Sequence, residues 1–360
     1  MRHNRCYKVL GVLNGRCRAA VLLIAATLLL GSCAGPKEHQ AEFYIFGTVL
    51  EVITWGASER QAEEAFATLR GMFNEMHRDW HPWEPGMLVE INRAFSEGRP
   101  AIADGDIIEL IRRSQEIEEK SGGRFNPAIG ALIELWGFHT SEFPIIGPPP
   151  SSEAIRAILE HNPSSLDITI NDHRVQTDNP AVQLDFGGIA KGYAIDLACK
   201  KLRELGIVNA IVNAGGDLRA FGEHGTRPWR LGIRNPAGGV IGGVEALDDE
   251  AIFTSGVYER FRLDNQRRYP HILNPETGWP VEKISAITVI AREGLLADAA
   301  ATALMVAGHP DWLSVAQSLG LDKVLLIDES GQVFVTPEMN RRVEFADGIK
   351  PAEVSWQADL

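Results

Sequence analysis

Between two helical stretches this chain sets down strand after strand, and that arrangement limits its fold more than any other feature. Ile189 to Leu205 repeats apolar residues at helical spacing and ends near Gly206. Short runs rich in apolar and β-forming residues follow: Ala210 to Val212, Leu218 to Phe221, Trp229 to Ile233, Val240 to Leu247, Ala251 to Thr254, Tyr258 to Leu263 and Ile284 to Ile290. Leu296 to Val306 then reads as a helix stopping at Gly308, and Trp312 to Leu319 as another. Strands in consecutive runs do not alternate with helices as a parallel sheet requires. The expected class is therefore α+β, with no composition break dividing the chain into two domains.

The elements upstream are sparser. Phe43 to Thr54 alternates and reads as one strand. Helices are expected over Glu59 to Met76 with Ser58 as N-cap, over Asp104 to Ser121 before Gly122-Gly123, over Ala128 to Trp136, and over Ser152 to Glu160. Pro144 to Pro150 holds four prolines in seven residues and must be an irregular loop. Leu166 to Ile170 and Arg174 to Thr177 read as a hairpin turning at Asn171-Asp172, and Val324 to Ile327 with Val333 to Val335 close the pattern.

The first 33 residues read as an address. Arg2, Arg5, Lys8, Arg16 and Arg18 precede an apolar run, Ala19 to Leu30, of 12 residues. A bilayer-spanning helix needs about 20. Basic, then apolar, then small is the order of a signal peptide. Leu30-Gly31-Ser32-Cys33 follows and resembles the bacterial lipobox, in which the cysteine is acylated and becomes the new N-terminus. The plain alternative is an ordinary signal peptide with a chance cysteine. Cleavage there removes five basic residues and no acid, taking the formal charge from −13 to −18. It also removes Cys6 and Cys17, and Cys199, inside a helical pattern, reads as a small buried hydrophobe. The expected division is a signal peptide over 1–32, a tether over 33–41, one domain over 42–345 and a tail over 346–360. The negative balance excludes nonspecific nucleic-acid binding, which needs a basic footprint, and docking on anionic lipid by charge alone.

Four segments could carry chemistry. In Leu184 to Tyr193 a strand enters Gly187-Gly188 and a helix begins, which suits an anion at the backbone N–H groups or is only a tight turn. Its glycine spacing fits neither a Walker loop nor a dinucleotide fingerprint. Asn213-Ala214-Gly215-Gly216-Asp217 is a second glycine pair joined to an acid, or a β-turn. His271 follows Arg268-Tyr269-Pro270 and precedes Asn274-Pro275; a lone histidine is often simply packed. Asp298 and Thr302 stand one turn apart on one helix face. They offer two hard oxygens to Mg²⁺, or a helix-end acid and a self-bonded threonine.

Taken together and in order, these segments resemble the ApbE family of FAD:protein FMN transferases. The pieces are Phe46-Gly47-Thr48, Ser121 to Pro127, Leu135-Trp136-Gly137-Phe138, Asp185 to Asp196, Asn213 to Asp217, Thr254 to Arg260, His271-Ile272 and Asp298 to Thr302. The family often has Met at position 46, Asp at 126 and a Ser-Thr-Tyr stretch near Trp80. Here Met76 to Trp83 replaces that stretch, leaving Trp80 or Trp83 to face the flavin.

The resemblance implies an α+β fold, a single tunnelling-fold-like catalytic domain of mixed or antiparallel sheet with flanking helices, and a phosphoryl transfer. FAD would be the substrate donor, FMN would pass to a Thr or Ser hydroxyl of a partner protein, and AMP would leave. It implies Mg²⁺ held by Asp298, Thr302 and the Ala190 carbonyl, and His271 as the base. Flavin-nucleotide contacts would come from Phe46, Trp80, Ala128, Ile129, Gly130, Gly187, Lys191, Tyr193, Asp217, Ser255 and Ile272. The implied partner is a subunit of a membrane redox complex, of the sodium-pumping NADH:quinone reductase or a related electron-transport type. The implied location is the periplasmic side of the membrane, anchored by lipid on Cys33. Two other readings remain at this point: a Mg²⁺-dependent FAD pyrophosphatase giving FMN and AMP, and a non-catalytic FAD-binding lipoprotein.

Overall fold

The computed structural model describes residues 37–355 apart from 248. Cys33 and the expected signal segment lie outside the described residues. Nine strands form the central sheet, and they lie in it in their order along the chain. They are Glu38–Ile45, Thr48–Trp55, Ala210–Ala214, Asp217–Phe221, Ala251–Gly256, Ile284–Ala291, Val324–Asp328, Val333–Val335 and Ala352–Glu353. Each neighbouring pair is antiparallel except the last, which is parallel. The α+β class expected from the consecutive strands is what the chain adopts.

The middle strands of the sheet are buried on both faces, which explains why they read as nearly unbroken apolar runs. Val212, Phe253, Ile287, Val289 and Leu326 point to one core, under the helices Glu59–Trp80, Ala190–Glu204 and Gly294–Ser318. Their alternate neighbours Ile211, Ile252, Ile290 and Leu325 point to a second core. There a three-stranded sheet of Trp229–Arg234, Val240–Ala246 and Val343–Phe345 closes the other side. A third cluster, built on Trp136, Leu132, Ile155 and Tyr269, joins the short helices Gly130–Leu135 and Ser152–Leu159 to the hairpin Phe261–Asp264 and Arg267–Pro270. Trp136 is anchored in it by donating Nε1–H to the Gly278 carbonyl at 2.9 Å.

Two helices cross at a pair of glycines. A Cβ on Gly192 would stand 2.1 Å from the Gly294 carbonyl oxygen, so the backbones touch where side chains would keep them apart. Asp196, one turn along, accepts N–H from Gly294 at 2.8 Å and from Leu295 at 3.0 Å, capping the second helix from the first. Arg219 neutralises Asp196 from behind at 2.6 Å. Cys199 lies fully buried in the same helix, and burial pushes its thiol pKa up, as a small core residue should behave.

Several boundaries differ from expectation. The single strand over Phe43 to Thr54 is a hairpin, because Phe46 (φ 52) and Gly47 (φ 68) take a two-residue left-handed turn. Its first strand starts at Glu38, paired with Trp55, so the expected tether is strand from that point. The first helix runs on to Trp80, and a helix Met87–Ser96 stands where no element was expected. The short helix after Pro127 is only Gly130–Leu135. Leu166 belongs to a 3₁₀ turn rather than a strand, leaving the hairpin Thr169–Asn171 and Arg174–Gln176. Arg267–Pro270 is a strand turned back by Asn265 and Gln266, both at positive φ. The last long helical span breaks at Gly308 (φ 62), as its glycine suggested. The expected tail contains Ala352–Glu353, paired with Phe334 and Val335.

Candidate active site

The glycine turns, the helix crossing and the aromatic segment open onto one cavity of about 650 Å³. That is the size of an ordinary small-molecule site. Phe46, Trp80, Ile129, Gly187, Ala190, Lys191, Asp217, Ser255, His271, Ile272, Asp298 and Thr302 all line it. Ala128, Gly130 and Tyr193 do not; they stand behind its wall. Gly130 donates its N–H to the Gln183 carbonyl at 2.7 Å, and a Cβ there would meet that oxygen at 2.6 Å. Tyr193 donates to Asp106 at 3.1 Å and stacks on Trp80 with ring centres 5.6 Å apart.

At the floor, Asp298 is 3% exposed. Its Oδ2 accepts the Gly192 N–H at 2.9 Å, which the crossing of the two helices brings there. Lys191 lies 3.5 Å from Asp298 Oδ1 and pairs closely with Asp217. Asp217 also accepts the Thr254 N–H at 2.9 Å. Burial lowers the affinity of Lys191 for its proton, but the two carboxylates overcome this and hold its pKa above the usual value. Burial pushes the Asp298 carboxyl up to about 6, against the pull of Lys191 and with the help of Asp217. Thr302 faces Gly188, whose missing Cβ leaves the hydroxyl uncovered, since a Cβ there would lie 3.2 Å from Oγ1. The same hydroxyl donates weakly to the Asp298 carbonyl at 3.4 Å. A buried, undercompensated carboxylate beside a threonine hydroxyl and the first carbonyls of a helix is a set of hard oxygens suited to a small divalent cation.

His271 sits on another wall. Its Nδ1 lies 3.2 Å from the Arg260 carbonyl, which can only accept, so Nδ1 carries the hydrogen and Nε2 presents a lone pair. Burial and the nearby Arg260 charge push its pKa down to about 4, leaving it neutral at ordinary pH.

The aromatic wall comes from the segment whose contact was open between two tryptophans. Trp80 is 3% exposed and held between Phe46 and Tyr193. Trp83 is 36% exposed and stacks on His139 at 4.8 Å. His139 in turn meets Asp185 at 3.1 Å, and Asp185 accepts the Gly187 N–H at 2.8 Å, tying that wall to the glycine turn. Nothing in the spacing of positions 83, 139 and 185 foretold this chain of contacts. His77, His81 and Glu84 also gather at the cavity. Both imidazoles accept backbone N–H at Nδ1, from Phe46 at 3.3 Å and Glu84 at 3.0 Å. Their Nε2 atoms then carry hydrogen, which opposes metal ligation.

The chain is similar to known proteins over most of its length. The ApbE family profile matches residues 46–325. The FAD:protein FMN transferase of Rhodobacter capsulatus is 41% identical over 346 residues, covering 95% of this chain. The chain spans 65% of that relative's length. The FAD:protein FMN transferase of Treponema pallidum is 30% identical, over 80% of this chain and 84% of its own. Among solved structures, the ApbE protein of Thermotoga maritima superposes with a TM-score of 0.77 at 28% identity, over 85% of this chain and 99% of its own. With the family profile spanning most of the described residues, the chain belongs to the ApbE family.

Proposed function

We propose that this protein is a Mg²⁺-dependent FAD:protein FMN transferase. It attaches FMN through a phosphoester to a threonine or serine hydroxyl of a partner protein and releases AMP. One observation carries the reading: a single cavity joins the buried oxygen set at Asp298 and Thr302 to a neutral histidine, His271, that lines the same space. Storage of a flavin needs neither. The names of the relatives support the same reading.

Asp298, Thr302 and the Ala190 carbonyl would hold Mg²⁺, which neutralises pyrophosphate charge when bound. Lys191 stays paired with Asp217 and sets the charge balance of the floor. The Gly187-Gly188 turn presents backbone to the nucleotide, and Trp83 offers the open aromatic face to the flavin. His271 takes the proton of the acceptor hydroxyl at Nε2. The acceptor is a subunit of a membrane redox complex of the sodium-pumping NADH:quinone reductase or related electron-transport type. The enzyme works on the periplasmic side, anchored by lipid at Cys33.

The test mixes protein, FAD, Mg²⁺ and a candidate acceptor and reads the acceptor's mass. An FMN adduct on one Thr or Ser is expected. Release of free FMN and AMP at the same rate with and without acceptor, and no adduct, would identify a pyrophosphatase instead.

A further inference from the structure

Four cationic side chains other than histidine line the cavity, and three are already occupied. Lys191 pairs with Asp217 and Asp298, Arg234 with Glu259, and Arg124 with Glu276 and Asp311. Arg260 is the fourth, and among the described residues no carboxylate pairs with it. Arg260 is half-buried, and its guanidinium is placed rather than loose. Nη2 reaches the Phe46 carbonyl at 3.4 Å, and the group lies over the Phe143 ring at 5.7 Å. The turn at Phe46-Gly47 leaves room for it, since a Cβ on Gly47 would stand 3.1 Å from Nη2. Its charge is felt at both His271 and Lys191, so it acts on the space between the base and the floor.

A guanidinium without an anion, fixed in a cavity, has donors to spare for a phosphate. We infer that Arg260 is a catalytic residue that binds the phosphoryl group of the flavin nucleotide as it is transferred. This rests on the transferase reading. In that step the acceptor hydroxyl gives its proton to His271 Nε2 as its oxygen bonds the FMN phosphorus. The pyrophosphate P–O bond breaks, and its electron pair leaves with AMP. Arg260 makes and breaks no covalent bond; it offsets charge on the non-bridging oxygens. Its carbonyl meanwhile fixes the His271 tautomer, so one residue aligns the base by its backbone and the electrophile by its side chain.

The experiment compares phosphate-bearing and phosphate-free flavin. Wild type, Arg260→Met and Arg260→Lys are titrated with FAD and with riboflavin, and FMN transfer is measured in parallel. Arg260→Met should bind riboflavin within about twofold of wild type, bind FAD about tenfold or more weakly, and transfer FMN about 10²–10³-fold more slowly. Arg260→Lys should recover part of the FAD affinity. Equal losses for both ligands, or no loss for either, would overturn the assignment. If wild type forms no FMN adduct yet Arg260→Met loses FAD selectively, the transferase reading fails and the phosphate contact stands. Should Arg260→Met not fold, Arg260→Gln decides by the same comparison.

Discussion

Replacing Gly192 by alanine tests the helix crossing that carries the site. The added Cβ would stand 2.1 Å from the Gly294 oxygen, 2.5 Å from its carbonyl carbon and 2.7 Å from Leu295 N, where ordinary contact begins near 3.4 Å. All three atoms are backbone, so no side chain can swing away. The helices must part by about 1.3 Å, the shortfall in the tightest of these contacts. That movement stretches the Asp298–Gly192 and Asp196–Gly294 hydrogen bonds, now 2.9 and 2.8 Å. Overpacking costs roughly 1–3 kcal/mol, and weakened charge-assisted hydrogen bonds add about 1–3. Alanine returns about 1 kcal/mol in helix propensity. The net loss is about 1–5 kcal/mol, or roughly 2–8 °C in Tm for a chain of this size. Gly71 supplies the control. It is exposed in the helix Glu59–Trp80, and an added methyl there would meet nothing within 4 Å, so Gly71→Ala should gain about 0.5–1 kcal/mol. Urea unfolding followed by tryptophan fluorescence reads both midpoints. A Gly192→Ala midpoint equal to that of wild type would refute the close-packed crossing.

Three further outcomes are expected. Asp298→Asn should unfold as cooperatively as wild type but transfer FMN on the order of 10³-fold more slowly, and near-normal transfer at limiting Mg²⁺ would reject the metal role. Because the Asp298 carboxyl titrates near 6 and only its charged form binds a cation, Mg²⁺ affinity by calorimetry should be flat above that pH and weaken below it; constant affinity down to pH 5 would contradict this. His271→Ala should keep FAD affinity and lose about 10²–10⁴-fold in transfer. Since the imidazole is pushed down to about 4, the base stays neutral through weakly acid pH, and with Mg²⁺ saturating the acid limb of transfer should lie well below 6.5; loss of FAD affinity in step with transfer would make His271 a binding residue. Cys33→Ser should abolish incorporation of labelled fatty acid, and equal labelling of both proteins would reject the anchor.

What the sequence revealed follows from range. The helix Ala190–Glu204, the cap at Ser58 and the helix break at Gly308 are local signals, and local spacing suffices for them. Asp298 and Thr302 were readable as a pair because a helix brings positions four apart onto one face. Lys191 and Asp217 were each noticed, but their pairing across 26 positions depends on how a helix lies against the sheet. Trp83, His139 and Asp185 meet only in three dimensions, and so does Arg260 with Phe46. The hairpin at Phe46-Gly47 escaped because phenylalanine is a poor indicator of a left-handed turn. Tyr193 falls in a segment shared with the family and Gly130 lies just beyond another, yet neither lines the cavity. Which way a residue points is settled by tertiary packing.

A sheet whose strands follow chain order has two free rims, one near each end of the described chain, and an open rim is a template for another molecule's strand. At one rim, Val333–Val335 is apolar, and the short strand Ala352–Glu353 lies along it. The Val354 N–H reaches the Val335 carbonyl at 2.8 Å, and Asn340 holds Glu353 at 2.8 Å. Those few residues act as a stopper, and shortening the chain before them would bare an adhesive border. At the other rim no described strand pairs with the outer edge of Glu38–Ile45, but its sequence does similar work. Glu38, His39, Gln40 and Glu42 make that border charged and wet, a poor partner for stacking copy on copy. Resistance to edge-to-edge stacking is thus shared between two borders, one covered and one repellent.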